Sequence, residues 1–221
     1  MNIKILKAAC VSLALSTSCY VNANLIENGD FETGDLSNWN VSSNGNSGCD
    51  TDWTVALNDD GICWNLLADP SAGYEAYNSF DGNGPQTFAL SQMVDLGALN
   101  SYSLAFDYAV TGDNGWTWPI ERTFSVIITD GSLVETLFSK SIKSINDPSW
   151  FSEVVSFDHS VFAAMDLANI SISFNAFIPE NFTGPASLGL DNVALTQVPE
   201  PSTLAIFALG ILGLTSRKIK K

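Results

Sequence analysis

The sequence predicts an all-β protein whose middle section is a two-sheet β-sandwich, and three observations carry that prediction. The stretch "SYSLAFDYAV" sets Leu104, Phe106, Tyr108 and Val110 against Ser103, Ala105, Asp107 and Ala109, the two-residue period of a half-buried strand; "NISISFNAFI" repeats it. Between them, "TFSVIITDGSLVETLF" reads as two strands around Asp130-Gly131, a pair that tolerates the positive φ angles of a type I′ turn. That turn places Phe124, Val126 and Ile128 on one face with Leu133 and Leu137, and Glu135 as well, so Glu135 is expected near an edge or a polar partner. Short strands, Gly- and Asp-rich turns and no long helix between the termini complete the case. Only "HSVFAAMDLA" reads as a short helix.

The chain divides into three parts. Lys4 and Lys7 precede an apolar run from Ala8 to Leu15, then small residues and Val21-Asn22-Ala23, the pattern of a secretory signal peptide spanning residues 1–23 and cleaved after Ala23. Residues 24–197 come next, long enough for one domain with a real core. At the end, "VPEPSTLAIFALGILGLTSRKIKK" (residues 198–221) holds sixteen uncharged residues between Glu200 and Arg217. As a helix these span roughly 24 Å, short for a hydrocarbon core of about 30 Å but workable if the bilayer thins and terminal bases reach the headgroups. Arg217, Lys218, Lys220 and Lys221 stand where they can do so, and the positive-inside rule puts them in the cytoplasm and the domain across the membrane.

Export changes the meaning of the cysteines. Loss of the leader removes Cys10 and Cys19 and leaves Cys49 and Cys63, which in an oxidising compartment read as a disulfide closing a loop of thirteen residues. In the chain-entropy model such a bridge stabilises by about 3 kcal/mol. Two cysteines and the single His159 do not complete a zinc site. All 24 acidic residues except Glu200 fall in the domain against three bases, Arg122, Lys140 and Lys143, so twenty-three acids and three bases leave it at −20. That charge excludes nucleic acid as a partner. Its plain meaning is solubility through self-repulsion; its sharper one is a carboxylate set for calcium.

The C-terminal stretch resembles the PEP-CTERM sorting signal, with Pro199, Glu200 and Pro201 matching its motif ahead of the apolar helix and basic end. The resemblance implies an exosortase and the secretion machinery as partners. It also implies a Gram-negative host that makes exopolysaccharide, insertion in the inner membrane by the C-terminal helix, and a final place at the cell surface or in its matrix. It carries no activity.

A second resemblance lies at the domain's two edges. "NLIENGDFETGDLSNWNV" is similar to the first strand and loop of galactose-binding-like jelly rolls, which include several carbohydrate-binding modules, and "LGLDNVALT" to their closing strand. In that fold the first and last strands lie near each other and each often lends an acid to a structural calcium, which implies Glu32 and Asp191. Parity agrees, because alternation puts Asp191 on the strand face of Val193 and Leu195, where an unpaired carboxylate is costly. The plainer alternative is that both acids cap turns.

Sugar binding needs aromatic faces flanked by amides and carboxylates. "DNGWTWPIE" supplies Trp116 and Trp118, two apart and so aimed alike in an extended chain, with Asn114 and Glu121 beside them. "GYEAYNSFDGNGP" offers Tyr74, Tyr77, Asn78 and Asp81, although rings also fill sandwich cores. No nucleophile elbow surrounds His159, which reads as a loop or surface residue, and no phosphate-cradling glycine loop occurs. The expected function is therefore a non-catalytic, exported polysaccharide-binding module. The alternatives are a structural matrix or envelope protein without glycan binding and a secreted glycoside hydrolase using paired carboxylates.

Overall fold

A computed structural model of the chain describes residues 24–44, 51–57, 73–80, 84–96, 101–112, 122–142, 149–179 and 186–198. Ten strands run in chain order: β1 (Asn40–Ser43), β2 (Thr51–Leu57), β3 (Tyr74–Phe80), β4 (Gln86–Met93), β5 (Ser101–Gly112), β6 (Arg122–Thr129), β7 (Val134–Ile142), β8 (Ser149–Phe157), β9 (Ser171–Ile178) and β10 (Ala186–Val198). They form two five-stranded sheets, ordered β1-β4-β9-β6-β7 and β2-β3-β10-β5-β8, with every neighbouring pair antiparallel. Within these, β3-β10-β5-β8 and β4-β9-β6-β7 are the two halves of a jelly roll. Strands β1 and β2 extend its edges, so the all-β sandwich expected from the sequence is the fold.

The alternating pattern of β5 explains its place in the middle of a sheet. Leu104, Phe106, Tyr108 and Val110 are buried in the core between the sheets. Across the gap β9 contributes Ile172, Phe174, Ala176 and Ile178, and β6 contributes Phe124, Val126 and Ile128. Rings hold the centre together: Phe106 lies 5.5 Å from Phe174 and 5.4 Å from Phe138, both edge-on, the arrangement that aromatic quadrupoles favour.

Three local expectations are corrected. The β6–β7 connection is four residues, 130–133, rather than a two-residue type I′ turn, because of its two central residues only Gly131 takes positive φ (87°). Asp130 instead accepts hydrogen bonds from the backbone N–H groups of Leu133 (2.7 Å), Asp166 (2.8 Å) and Ser132 (2.8 Å), which hold its carboxyl well below the usual carboxylate range. Leu133 is left in the turn, exposed, while a bulge between Val126 and Ile127 lets both Leu137 and Phe138 pack on the core. Glu135 stands exposed on the edge strand opposite Ile128, as expected of an edge.

The predicted short helix in "HSVFAAMDLA" is a run of tight turns closed by a single 3-10 turn, Leu167–Asn169. Its backbone bonds, such as Phe162 N to His159 O and Met165 N to Phe162 O, all join residues three apart. The carboxylate of Asp158 accepts from Ser160 N and that of Asp166 from Ala168 N, turning the chain before an α-helix can propagate. His159 is exposed, as the sequence suggested.

The third correction concerns β10. Leu188 and Leu190 face the core, and so do Val193 and Leu195, which simple alternation forbids. A bulge between Asp191 and Ala194, with Asn192 at φ 52°, resets the parity. Asp191 therefore points away from the core, opposite to the face that parity assigned it.

Candidate functional site

The N-terminal segment is strapped to the lower half of β10, and its sequence shows why. The Asn24 side chain accepts from the N–H groups of Ile26 (3.1 Å) and Leu195 (2.8 Å), and Leu25 N donates to Leu195 O (2.8 Å). Val193 N donates to Gly29 O (2.8 Å), an approach so close that a Cβ on Gly29 would lie 2.0 Å from Val193 O. Phe31, held at φ 52°, sinks fully into the core against Trp39, whose indole N–H donates to Asn28 O (2.9 Å). A bulky residue in the left-handed region is rare, and burial of its ring is what offsets the strain.

This strap ends in the loop that carries Glu32. Its Oε1 accepts from Tyr74 N (3.0 Å) at the start of β3, while Asp191 lies on the outer face of β10, directly across from Asp107. The two predicted calcium ligands thus both border the β3–β10 seam, since Ala76 pairs with Leu190 and sets Glu75 beside Asp191. Glu32 is exposed and Asp191 is 2 % exposed. One amide ties the acids of β10 and β5 together, Asn192 Nδ2 donating to Asp107 Oδ2 (2.9 Å) and Asp191 Oδ2 (3.0 Å). Among the described residues no three His, Cys, Asp or Glu side chains gather closely enough to hold a metal by themselves. A calcium at this seam would need backbone carbonyls as well, which its hard oxygen chemistry accepts.

The tyrosines divide. Tyr77 is completely buried on the outer side of its sheet, its hydroxyl 3.2 Å from Ser187 Oγ and its ring packed with Ala56, Ala109 and the partly buried Trp150. It offers no ring face to a sugar, which corrects its assignment as a contact. Asn78 is equally buried, on the core side opposite Leu188. Tyr74 is half-buried, and its ring covers Gly34, where an added Cβ would sit 3.4 Å from Cζ. Trp116, Trp118, Asn114 and Glu121 lie outside the described residues, as do Asp81, Cys49, Cys63 and Ala23. The strands flanking 113–121 end at Gly112 and begin at Arg122, the end of the sandwich opposite Tyr74 and Glu32.

Sequence reasoning missed the Asp107–Asn192–Asp191 bridge because it depends on the bulge. The available signal was "LDNV", an Asn able to adopt positive φ inside a strand pattern. A cleft of about 260 Å³ opens beside it, lined by Asn24, Asn28, Asp30 and Asn192, smaller than the pockets that enclose drug-sized ligands.

Strand β10 stops at Val198, and the tail beyond it decides the route of the protein. Residues 197–221 match the PEP-CTERM protein-sorting motif. The PEP-CTERM motif marks an exported, surface-sorted protein, and Pro199, Glu200 and Pro201 belong to it, outside the described residues. Among the described residues no helix is long and apolar enough to cross a membrane. No curated protein matches the chain.

Solved structures similar to this chain include carbohydrate-binding modules with a β-sandwich fold. TmCBM61, in complex with β-1,4-galactotriose, is 17% identical, with 80% of this chain and 99% of that one covered at a TM-score of 0.49. The CBM22-2 xylan-binding domain of Paenibacillus barcinonensis Xyn10C is 14% identical, covering 77% and 98% at 0.43. The Stig cyclase Fisc from Fischerella sp. TAU is 15% identical, covering 80% and 97% at 0.50. At such identities the likeness is one of fold.

Proposed function

We propose that the chain is an exported surface or matrix protein, sorted by an exosortase, whose jelly roll binds extracellular polysaccharide without catalysis. The observation that carries this reading is the PEP-CTERM motif joined to the last strand of a jelly roll without a spacer: β10 ends at Val198 and the motif begins at residue 197. A surface address on a ligand-displaying sandwich suits a protein that meets polymers outside the cell. In this reading the apolar run Leu204 to Leu214 holds the precursor in the inner membrane until sorting, and Trp116 and Trp118, with Asn114 and Glu121, form the leading contact set. The disulfide Cys49–Cys63 joins the segment before β2 to the segment after it. Calcium held by Glu32 and Asp191 pins the strap to the β3–β10 seam; a chelator that leaves the melting temperature unchanged removes it.

A glycan array tests the binding. The wild-type chain is expected to retain at least one polysaccharide that the Trp116→Ala/Trp118→Ala variant loses. Equal retention by both proteins rejects the Trp pair, and no retention by either rejects the polysaccharide reading. A passive matrix module is the second reading, favoured by the burial of Tyr77 and Asn78, which withdraws two candidate contacts.

A further inference from the structure

The outer face of the sheet β1-β4-β9-β6-β7 differs from the rest of this acidic chain. Cross-strand register puts Thr87 and Thr123 on either side of Phe177, and the next row runs from Ser42 through Ala89 and Asn175 to Ser125. Ser139 continues that row on β7. The charged residues of these five strands are absent from that side. Arg122 is buried, lies over the Phe80 ring and precedes Phe124 on the inward face, while Glu135 pairs with Ile128 and Lys140 with Phe124, both core positions. A domain carrying −20 thus presents, among its described residues, one broad face without a formal charge, with Phe177, 42% exposed, among hydroxyls and amides at one end and the exposed Met93 and Val134 in the row of Ser171 and Thr129 at the other.

We infer that this face is a second polysaccharide-binding surface, built around Phe177 and Asn175 and selective for neutral rather than anionic polymers. The inference rests on the proposed polysaccharide function and adds a site and a ligand class. Sugar hydroxyls both donate and accept, as do those of Thr87 and Thr123, which stand about 4.5–5.5 Å from Phe177 at the level of Cβ. The negative face of the Phe177 ring suits the C–H side of a pyranose. A uronate or sulfate polymer would need Arg or Lys, as paired carboxylates and phosphates do, and would meet the repulsion of the whole domain. A protein partner is a poorer fit, because interface cores cluster their aromatic, Met and Arg anchors, whereas Phe177 stands at one end of this face and Met93 and Val134 at the other. Asn175 is pre-set along its own strand: Ser173 Oγ donates to its Oδ1 (3.0 Å), and its Nδ2 donates to Ser173 O (3.2 Å).

Affinity electrophoresis of the full-length chain in detergent, through gels containing xylan, β-1,4-galactan, mixed-linkage β-glucan or polygalacturonate, tests this. At least one neutral polymer is expected to retard the wild type. Phe177→Ala and Asn175→Ala should weaken that binding by about tenfold or more, Phe177→Tyr should keep it, and polygalacturonate should leave mobility unchanged. Phe177 is exposed, so unchanged circular dichroism and melting temperature verify the fold of the variants. Retardation abolished only by the Trp116→Ala/Trp118→Ala change would overturn this face and leave the polysaccharide reading standing. Retardation by polygalacturonate would overturn the neutral class. Loss of a dimer on Phe177→Ala in size-exclusion chromatography would make the face a contact between copies, and no retardation by any polymer would end both readings.

Discussion

Replacing Phe174 with alanine is expected to destabilise the domain by about 3–5 kcal/mol, the range for deleting a ring from a packed core. The residue is fully buried on β9, at the meeting point of the two sheets. Its ring lies 5.5 Å from Phe106, 6.1 Å from Trp39 and 6.4 Å from Phe124. Those neighbours come from β5, the N-terminal loop and β6, so no single element can move in to fill the space. Most of the lost contacts would stay lost, and a cavity lined by rings would remain. Urea unfolding of wild type and variant measures it; a difference below about 1 kcal/mol would mean that the core is less tightly packed than these distances imply.

Gly29→Ala is expected to cost on the order of 3 kcal/mol, as overpacking against a rigid group does. The new methyl would collide with backbone, the carbonyl oxygen of Val193 at 2.0 Å and its carbon at 3.0 Å. Relief requires pulling the strap off β10, which breaks the Val193–Gly29 bond and strains the Leu25 and Asn24 bonds beside it. Gly131→Ala is the matched control. It has nothing within 4 Å and suffers only its left-handed φ of 87°, worth about 1–2 kcal/mol. Thermal melts of the two variants should rank Gly29→Ala well below Gly131→Ala, and the reverse order would contradict the strap.

The parts of this fold that obey simple periods are legible in the sequence. Leu104 to Val110 alternate cleanly because β5 is central, paired on both sides, and carries no extra residue itself, the bulge opposite Ala105 and Asp107 lying on β10. Where an extra residue enters a strand, alternation fails. It assigns Asp191 to the core face because nothing in one-dimensional spacing reveals that Asn192 adopts positive φ, and Leu137 and Phe138 are both inward for the same kind of reason. Tyr77 shows a different limit. Its strand position is plain, but burial of an outward-facing ring depends on Ala56, Ala109 and Trp150, brought together from three other strands. The run of single turns through Phe162 and Met165 reads as helix because its apolar spacing is helical, while its aspartates favour local turns.

Function is legible chiefly at the C-terminus. The sorting motif is a contiguous string, and it stands as a finding without any folded context. The face proposed around Phe177 is spread over strands far apart in sequence: Thr87, Phe177 and Thr123 meet only through the register of β4, β9 and β6. In "NISISFNAFI" the Ser, Asn and Phe positions read simply as the wet side of a strand. That the wet side is neutral across a whole sheet emerges only after the strands are ordered.

The most direct test of the account is equilibrium binding of the full-length protein to polysaccharide purified from the matrix of the cells that secrete it, at low and high salt. Saturable binding, competed by the free polymer and little changed by salt because no charges are paired across the contact, is the predicted result. Absence of binding, or binding that vanishes as salt screens it, would contradict the claim that this exported jelly roll recognises neutral sugar polymers.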